Sequence, residues 1–203
     1  MDLLLLALAS YLVGSFPSGF VFGKLARGVD MRRYGSGNIG AANALRTLGP
    51  QAFAAVFLTD FVKGLLPVVI AGLLWPSPTA QVAAGLGAVA GHNWSIFLRG
   101  AGGRGVSTGI GGLFGMHWPV AALVTLVTVS VMLKSRYISL GSVVGAAFAL
   151  PAMAVTVGLG FANPVYLWYS VPAAIAIIVQ HRGNIQRLID GTERRLGGPA
   201  ILQ

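Results

Sequence analysis

The chain has 203 residues, is 55% hydrophobic and has a mean hydropathy of +0.77. Only 9% of it is charged, against roughly 25% in a soluble domain, so it lacks the charge to coat a water-facing surface and a soluble globular fold is excluded. The net charge of +9 does not mark a nucleic-acid partner, because the bases stand singly between apolar runs, and the absence of cysteine excludes disulfides, thiolate metal sites and thiol nucleophiles.

In such a chain the long apolar runs read as bilayer spans of about 20 residues each. Seven follow in order: Leu3–Gly23, Ala52–Trp75, Thr79–Phe97, Val106–Met116, Trp118–Leu133, Ser139–Gly160 and Val165–Val179. The sequence therefore predicts an all-α integral membrane protein with seven transmembrane helices, forming a single domain over residues 1–203. The opening MDLLLLALAS has no basic n-region and stays apolar to about Lys24, so it reads as a retained first span rather than a cleaved signal. Pro17, Pro67, Pro151 and Pro172 fall inside segments and predict kinks. The fourth segment is short and glycine-rich, which predicts a short or broken helix shielded by its neighbours. The Gly87/Gly91 and Gly141/Gly145 pairs have the spacing of close helix packing.

The loops set the orientation. Thirteen of the 14 basic residues lie in or beside the first, third and fifth loops and in the tail, whereas WPSPT, GMHW and FANP hold none. By the positive-inside rule the N-terminus is outside and the C-terminus cytoplasmic. Three polar, glycine-rich stretches then share the cytoplasmic face: Gly35–Gly49, Gly91–Thr108 and His181–Arg195.

The first, GSGNIGAANALRTLG, lets the backbone turn sharply and bring its amides near a ligand. Such amides and a helix N-terminus bind anions. Ser36, Asn38 and Asn43 add uncharged donors, and Arg46 adds a planar cation suited to phosphate. GAGGRG in the second stretch repeats the idea around Arg104. Ser139 and Ser142, in YISLGS, cap the sixth helix or hydrogen-bond its neighbours. Asp60 and Lys63 are spaced i,i+3 inside the second segment. They serve either a function at depth or as an internal ion pair that positions the helix. His92 is either a packed residue or a polar participant, and His117 stands at an outer helix end. On a helix, His181 and Asn184 share a face, where the histidine can be base, proton donor or neutral partner. Glu193 is a base or pairs with the neighbouring arginines. No HExxH motif or carboxylate cluster suited to a metal occurs, so neither metal nor cofactor is expected.

In this order and on one face, GSGNIGAANALRTLG, GHNWSIFLRGAGGRGVST and HRGNIQRLIDGTE resemble the three motifs of the bacterial acyl-phosphate-dependent glycerol-3-phosphate acyltransferases. LTDFVKG and SRYISLGS resemble further signatures of that family. The resemblance covers essentially the whole chain. It implies acyl transfer from acyl phosphate to the 1-hydroxyl of glycerol 3-phosphate, giving lysophosphatidate and inorganic phosphate, in the bacterial inner membrane with the site on the cytoplasmic face. It also implies that Ser36, Arg46, Arg104, His181 and Asn184 line the polar pocket.

Relative to the family pattern, Ala42 stands for threonine, Ser95 for proline, Gly100 for an aromatic, Ala101 for lysine and Arg104 for a second lysine. That leaves one cation fewer unless Arg99 reaches round. The expected substrate-binding set is Ser36, Asn38, Asn43, Arg46, Arg104, Ser139, Ser142, His181 and Asn184, with His181, Asn184 and Ser36 nearest the chemistry. The expected partners are acyl phosphate, glycerol 3-phosphate and membrane lipid, with no nucleic acid. The runner-up reading is a membrane transporter of a small anion or phosphate ester. Against it stand the lack of an internal repeat and a site at one surface rather than the midplane.

Overall fold

The structure, a computed structural model, describes residues 2–197. All regular structure in those residues is helical: α1 Leu3–Gly14, α2 Ser18–Arg27, α3 Ala41–Leu48, α4 Pro50–Leu74, α5 Pro78–Asn93, α6 Val106–Met116, α7 Trp118–Ser135, α8 Ile138–Gly158, α9 Leu167–Gln180 and α10 Arg182–Ile189. Four stretches are long and apolar enough to cross a membrane: Leu3–Arg27, Pro50–Leu74, Trp118–Ser135 and Ile138–Gly158. The protein is thus an all-helical membrane protein.

The helices depart from the apolar segments where backbone chemistry overrides hydropathy. The first segment is two helices, because Pro17 is the N-cap of α2 and the chain breaks over Ser15–Pro17. By contrast, Pro67, Pro151 and Pro172 lie inside helices that continue through them. The third segment ends early, at Asn93, and its last apolar residues form a 3-10 turn, Ile96–Leu98. The fourth is short but unbroken, about 16 Å long at 1.5 Å per residue. Two short amphipathic helices, α3 and α10, lie in stretches that hydropathy leaves as loop and tail.

Glycine decides how the helices meet. With no side chain at these positions, the backbone of one helix rests on the backbone of the next. Gly87 and Gly91 of α5 lie against the carbonyls of Ala7 and Tyr11 in α1, and Gly14 of α1 lies against Ala88 of α5. Likewise Gly64 of α4 meets Thr108 of α6, and Gly111 of α6 meets Phe61 of α4. Gly141 and Gly145 of α8 seat against Thr128 of α7. The core that follows is built around buried Val68, Leu113, Met153 and Tyr169, and the Tyr169 hydroxyl donates to the Gly109 carbonyl at 2.7 Å.

A buried polar cluster fixes the break in the first span. Lys63 Nζ lies 2.8 Å from Asp60 Oδ1 and donates to the Phe16 carbonyl at 2.7 Å. The Ser18 hydroxyl donates to the same Asp60 oxygen, and the Ser95 hydroxyl donates to the Ser15 carbonyl. The carbonyls freed at Pro17 are therefore satisfied by side chains of α4 and the α5–α6 loop, as a water-poor interior requires.

Gly91→Ala is expected to lower stability by about 1–3 kcal/mol, the usual penalty of overpacking, since a Cβ there would overlap the Tyr11 carbonyl. Gly158→Ala, whose Cβ would meet nothing within 4 Å, is the control. Thermal unfolding of the two variants in detergent should separate them clearly.

Candidate active site

A pocket of about 430 Å³ opens among α3, α4, α6, α7, α8 and the α9–α10 junction. Its polar side carries Asn38, Arg46, Arg104, Ser139, Ser142, His181, Asn184 and Glu193. Its apolar side is formed by Phe53 and Phe57 of α4, Ile110 of α6, and Val129, Met132 and Leu133 of α7. Of these, Phe57, Val129 and Leu133 also reach the outer surface of the bundle.

Two helix N-termini face this pocket. Gly40, Ala41 and Ala42 at the start of α3 and Gly105, Val106 and Ser107 at the start of α6 all belong to its wall. Neither helix has a side-chain cap, so their first amides remain available to an anion. Gly105 adopts φ +80°, a left-handed turn that glycine takes without penalty, and it swings the chain from Arg104 into α6. Arg46 and Arg104 are each more than half buried, and among the described residues neither forms an ion pair. Burial lowers the Arg104 guanidinium to about 10, with the Glu193 carboxylate opposing the shift and repulsion from Arg187 and Arg46 adding to it, and burial moves Arg46 the same way. Both stay cationic at physiological pH. Two part-buried cations with no paired carboxylate among the described residues carry a cost that an added anion offsets.

Glu193 sits beside them but is spent elsewhere. Its Oε1 accepts from the Ser139 hydroxyl at 2.9 Å and from Asn184 Nδ2 at 2.7 Å, while Oε2 accepts from Arg187 Nε at 2.8 Å. Burial alone would raise its carboxyl, but these hydrogen bonds hold it below the ordinary value. Its partner is thus Arg187, not the neighbouring Arg194 or Arg195; Arg195 instead donates to the Tyr137 hydroxyl at 3.0 Å. This clasp orients Asn184 and Ser139 at the wall. The helix-cap reading of the two serines is corrected: α8 has no side-chain cap, because Ser139 is drawn to Glu193 and Ser142 donates back to the Ile138 carbonyl at 2.9 Å.

His181 lies between α9 and α10. Its Nδ1 is 2.8 Å from the Ile177 carbonyl, which can only accept, so Nδ1 carries the proton and neutral Nε2 is an acceptor. Burial, reinforced by Arg104, lowers its pKa to about 4, and the ring is neutral at physiological pH.

The first glycine-rich stretch divides into wall and scaffold. Asn38 and Arg46 belong to the wall; Ser36 and Asn43 do not. Asn43 is fully buried, and its Nδ2 donates to the carbonyls of Met31, Tyr34 and Asn38 while Oδ1 accepts from the Ser36 amide at 2.8 Å. The side chain is consumed in shaping its own loop, which a reading by residue type could not foresee. On the second stretch, Ala101 and Arg99 are exposed and absent from the wall, so Arg99 does not replace the missing cation and this loop offers Arg104 alone. Gly100 has φ +84°, which explains a glycine at that position. Sequence reasoning missed Ser107, which lines the pocket within Gly105-Val106-Ser107-Thr108-Gly109. That spacing matches a nucleophile elbow, but a loop rather than a strand leads into it, so the strained turn of an elbow is lacking. It also missed the wall positions of Asp60 and His92. No group of metal-ligating side chains occurs among the described residues.

Fold and site define a membrane-integral protein with a pocket that carries two arginines on its polar side and continues into an apolar cleft. The chain belongs to the glycerol-3-phosphate acyltransferase family, whose model matches residues 4–191. It is 43% identical over 196 residues to the glycerol-3-phosphate acyltransferase of Synechococcus sp. (strain CC9902), covering 97% of this chain and 96% of that protein. It is 41% identical to the one from Gloeobacter violaceus, covering 95% and 94%. Among solved structures it is similar to PlsY (YgiH), an integral membrane glycerol 3-phosphate acyltransferase. The glycerol 3-phosphate form matches with a TM-score of 0.88 and the lysophosphatidic acid form with 0.86, each at 36% identity over 97% of this chain and 96% of that one.

Asn43→Ala is expected to lower stability by about 3 kcal/mol, the scale for stranding buried backbone carbonyls, and to lose ligand binding with it. Arg46→Ala should lose binding with little change in unfolding temperature. Thermal shift with and without glycerol 3-phosphate separates the two.

Proposed function

We propose that this protein transfers a fatty acyl group from acyl phosphate to the 1-hydroxyl of glycerol 3-phosphate, releasing lysophosphatidate and inorganic phosphate. The observation that carries the reading is the convergence of two uncapped helix N-termini and two unpaired arginines on a pocket whose far side is apolar. Both substrates bring phosphate to the first feature, and the acyl chain suits the second. In this reading Arg46 and Arg104 hold the phosphates. His181 Nε2 and Asn184 orient the attacking hydroxyl, Asn38, Ser139 and Ser142 complete the binding surface, and Ser36 and Asn43 act from outside the wall by shaping the loop that carries Asn38.

The hydroxyl oxygen bonds to the acyl carbon as the acyl–oxygen bond to phosphate breaks. The proton goes to the phosphate, because a histidine with a pKa near 4 is a poor proton store at neutral pH. Amides and guanidiniums neutralise the charge of the departing phosphate, which supplies electrostatic stabilisation without a protein nucleophile.

The whole of residues 1–203 acts as one unit with seven spans, N-terminus outside and C-terminus cytoplasmic, in the bacterial inner membrane. Supporting this, thirteen of 14 bases fall in odd loops and tail, and the polar side of the pocket is assembled from those same segments. Glycerol 3-phosphate then arrives from the cytoplasm, and acyl phosphate from the bilayer past α4 and α7.

Purified protein in lipid, given palmitoyl phosphate and glycerol 3-phosphate, should form lysophosphatidate and phosphate in equal amounts, and Arg46→Ala should abolish both. Phosphate without lysolipid would replace transfer by hydrolysis. An inflection at about pH 6 should be that of the substrate phosphate's second ionisation and should persist in His181→Gln; its loss in that variant would give the proton to His181.

The absence of cysteine makes single-cysteine labelling clean. Arg33→Cys should react from the cytoplasmic side of sealed vesicles, and Phe161→Cys only from the other. The reverse pattern would invert the topology.

A further inference from the structure

The carboxylate Asp60 stands in the wall of a pocket otherwise suited to anions, next to the buried His92, and the proposed reaction uses neither. Asp60 Oδ1 is 3.4 Å from His92 Nδ1. Asp60 is itself held by Lys63 at 2.8 Å and by the Ser18 hydroxyl, so it is a fixed neighbour of the ring rather than a free charge. The other end of the imidazole meets the glycine-rich loop. A Cβ on Gly103 would overlap His92 Nε2, and the Gly103 amide donates to the His92 carbonyl at 2.8 Å. Gly102 rests on the carbonyls of His92 and Asn93. The loop from Gly102 to Gly105 is therefore seated on the C-terminal end of α5, with the His92 ring standing between Asp60 and the residue that precedes Arg104.

We propose that His92, packed beside Asp60, is a positioning residue for Arg104: its ring and carbonyl fix Gly103 and so aim the neighbouring guanidinium into the pocket. Arg104 needs such support. It follows two glycines, precedes a third, and makes no hydrogen bond of its own to protein among the described residues, so nothing on the side chain sets its direction. The neutralised Asp60–Lys63 pair supplies rigidity without placing a net negative charge beside the phosphates. In a site where displacement by about 1 Å can reduce turnover a hundredfold, the geometry of this prop belongs to the binding apparatus rather than to the general core.

The inference rests on Arg104 holding a substrate phosphate, and a double-mutant cycle tests the two separately. His92→Asn keeps a group near Asp60 but withdraws the contact with Gly103. It is expected to lower kcat/KM for glycerol 3-phosphate about tenfold, with most of the change in KM, and to do almost nothing further in an Arg104→Ala background. Multiplicative losses in the double variant, or unchanged kinetics in His92→Asn, would overturn the positioning role, since a general packing defect reduces activity whether or not Arg104 is present. Gly103→Ala presses on the same contact from the loop side at a backbone conformation open to alanine, and it should show the same dependence on Arg104. This second cycle stands even if His92→Asn folds poorly. Full activity in Arg104→Ala alone would instead remove the phosphate role of Arg104, a failure distinct from additive losses.

Discussion

Two part-buried guanidinium groups, neither paired with a carboxylate among the described residues, are the constraint on which the rest of this structure depends. Arg46 comes from a short amphipathic helix and Arg104 from a glycine-rich loop. Bringing them together means holding like charges close in surroundings poorer than water. The one acid near both, Glu193, is tied to Arg187, Asn184 and Ser139, which leaves the arginines attracted to it but unpaired. The fold thus keeps an electrostatic deficit that a doubly charged phosphate can fill. A closer carboxylate would have stabilised the empty protein and competed with substrate.

The surrounding chemistry is consistent with that arrangement. Histidine at the site is neutral, its proton committed to the Ile177 carbonyl, so it can receive a hydroxyl but adds no third cation. The backbone contributes through helix ends, whose amides carry partial positive charge without side-chain freedom to lose. Preorganised dipoles of this kind do not need to reorient when charge moves during reaction. Much of the polar machinery lies in short helices and loops, whereas the long apolar helices, packed backbone to backbone through glycine, supply a stiff frame.

Much of this was legible in the residues. The apolar runs gave the helices because bilayer thickness ties hydropathy to length, and Val106–Met116 was bounded to the residue. Gly87/Gly91 and Gly141/Gly145 announced close packing. The three polar stretches pointed to one site, and Arg46, Arg104, His181 and Asn184 do share a pocket. Other features need three dimensions. Asn43 reads as a ligand-binding amide, yet its partners are carbonyls 5–12 residues earlier in its own loop. Ser139 reads as a cap until Glu193, 54 residues away, draws its hydroxyl aside. The pairing of Asp60 with Lys63 follows from helical spacing, but the arrival of His92 and Ser18 at the same carboxylate does not, since each comes from another helix. Pro17 and Pro67 look alike in sequence; only at Pro17 do distant side chains collect the released carbonyls and allow the helix to end.

The apolar side of the pocket, where Phe57, Val129 and Leu133 reach the outer face of the bundle, has a thermodynamic corollary. A hydrocarbon tail that slides from a bilayer into this cleft leaves one oily medium for another, so water release contributes almost nothing to its capture. Bilayer tails are also present there at the density of a liquid, and any of them can occupy the cleft. Recognition must then come from the phosphate end. A preference for one tail length would measure the shape of the cleft, not how strongly the tail avoids water.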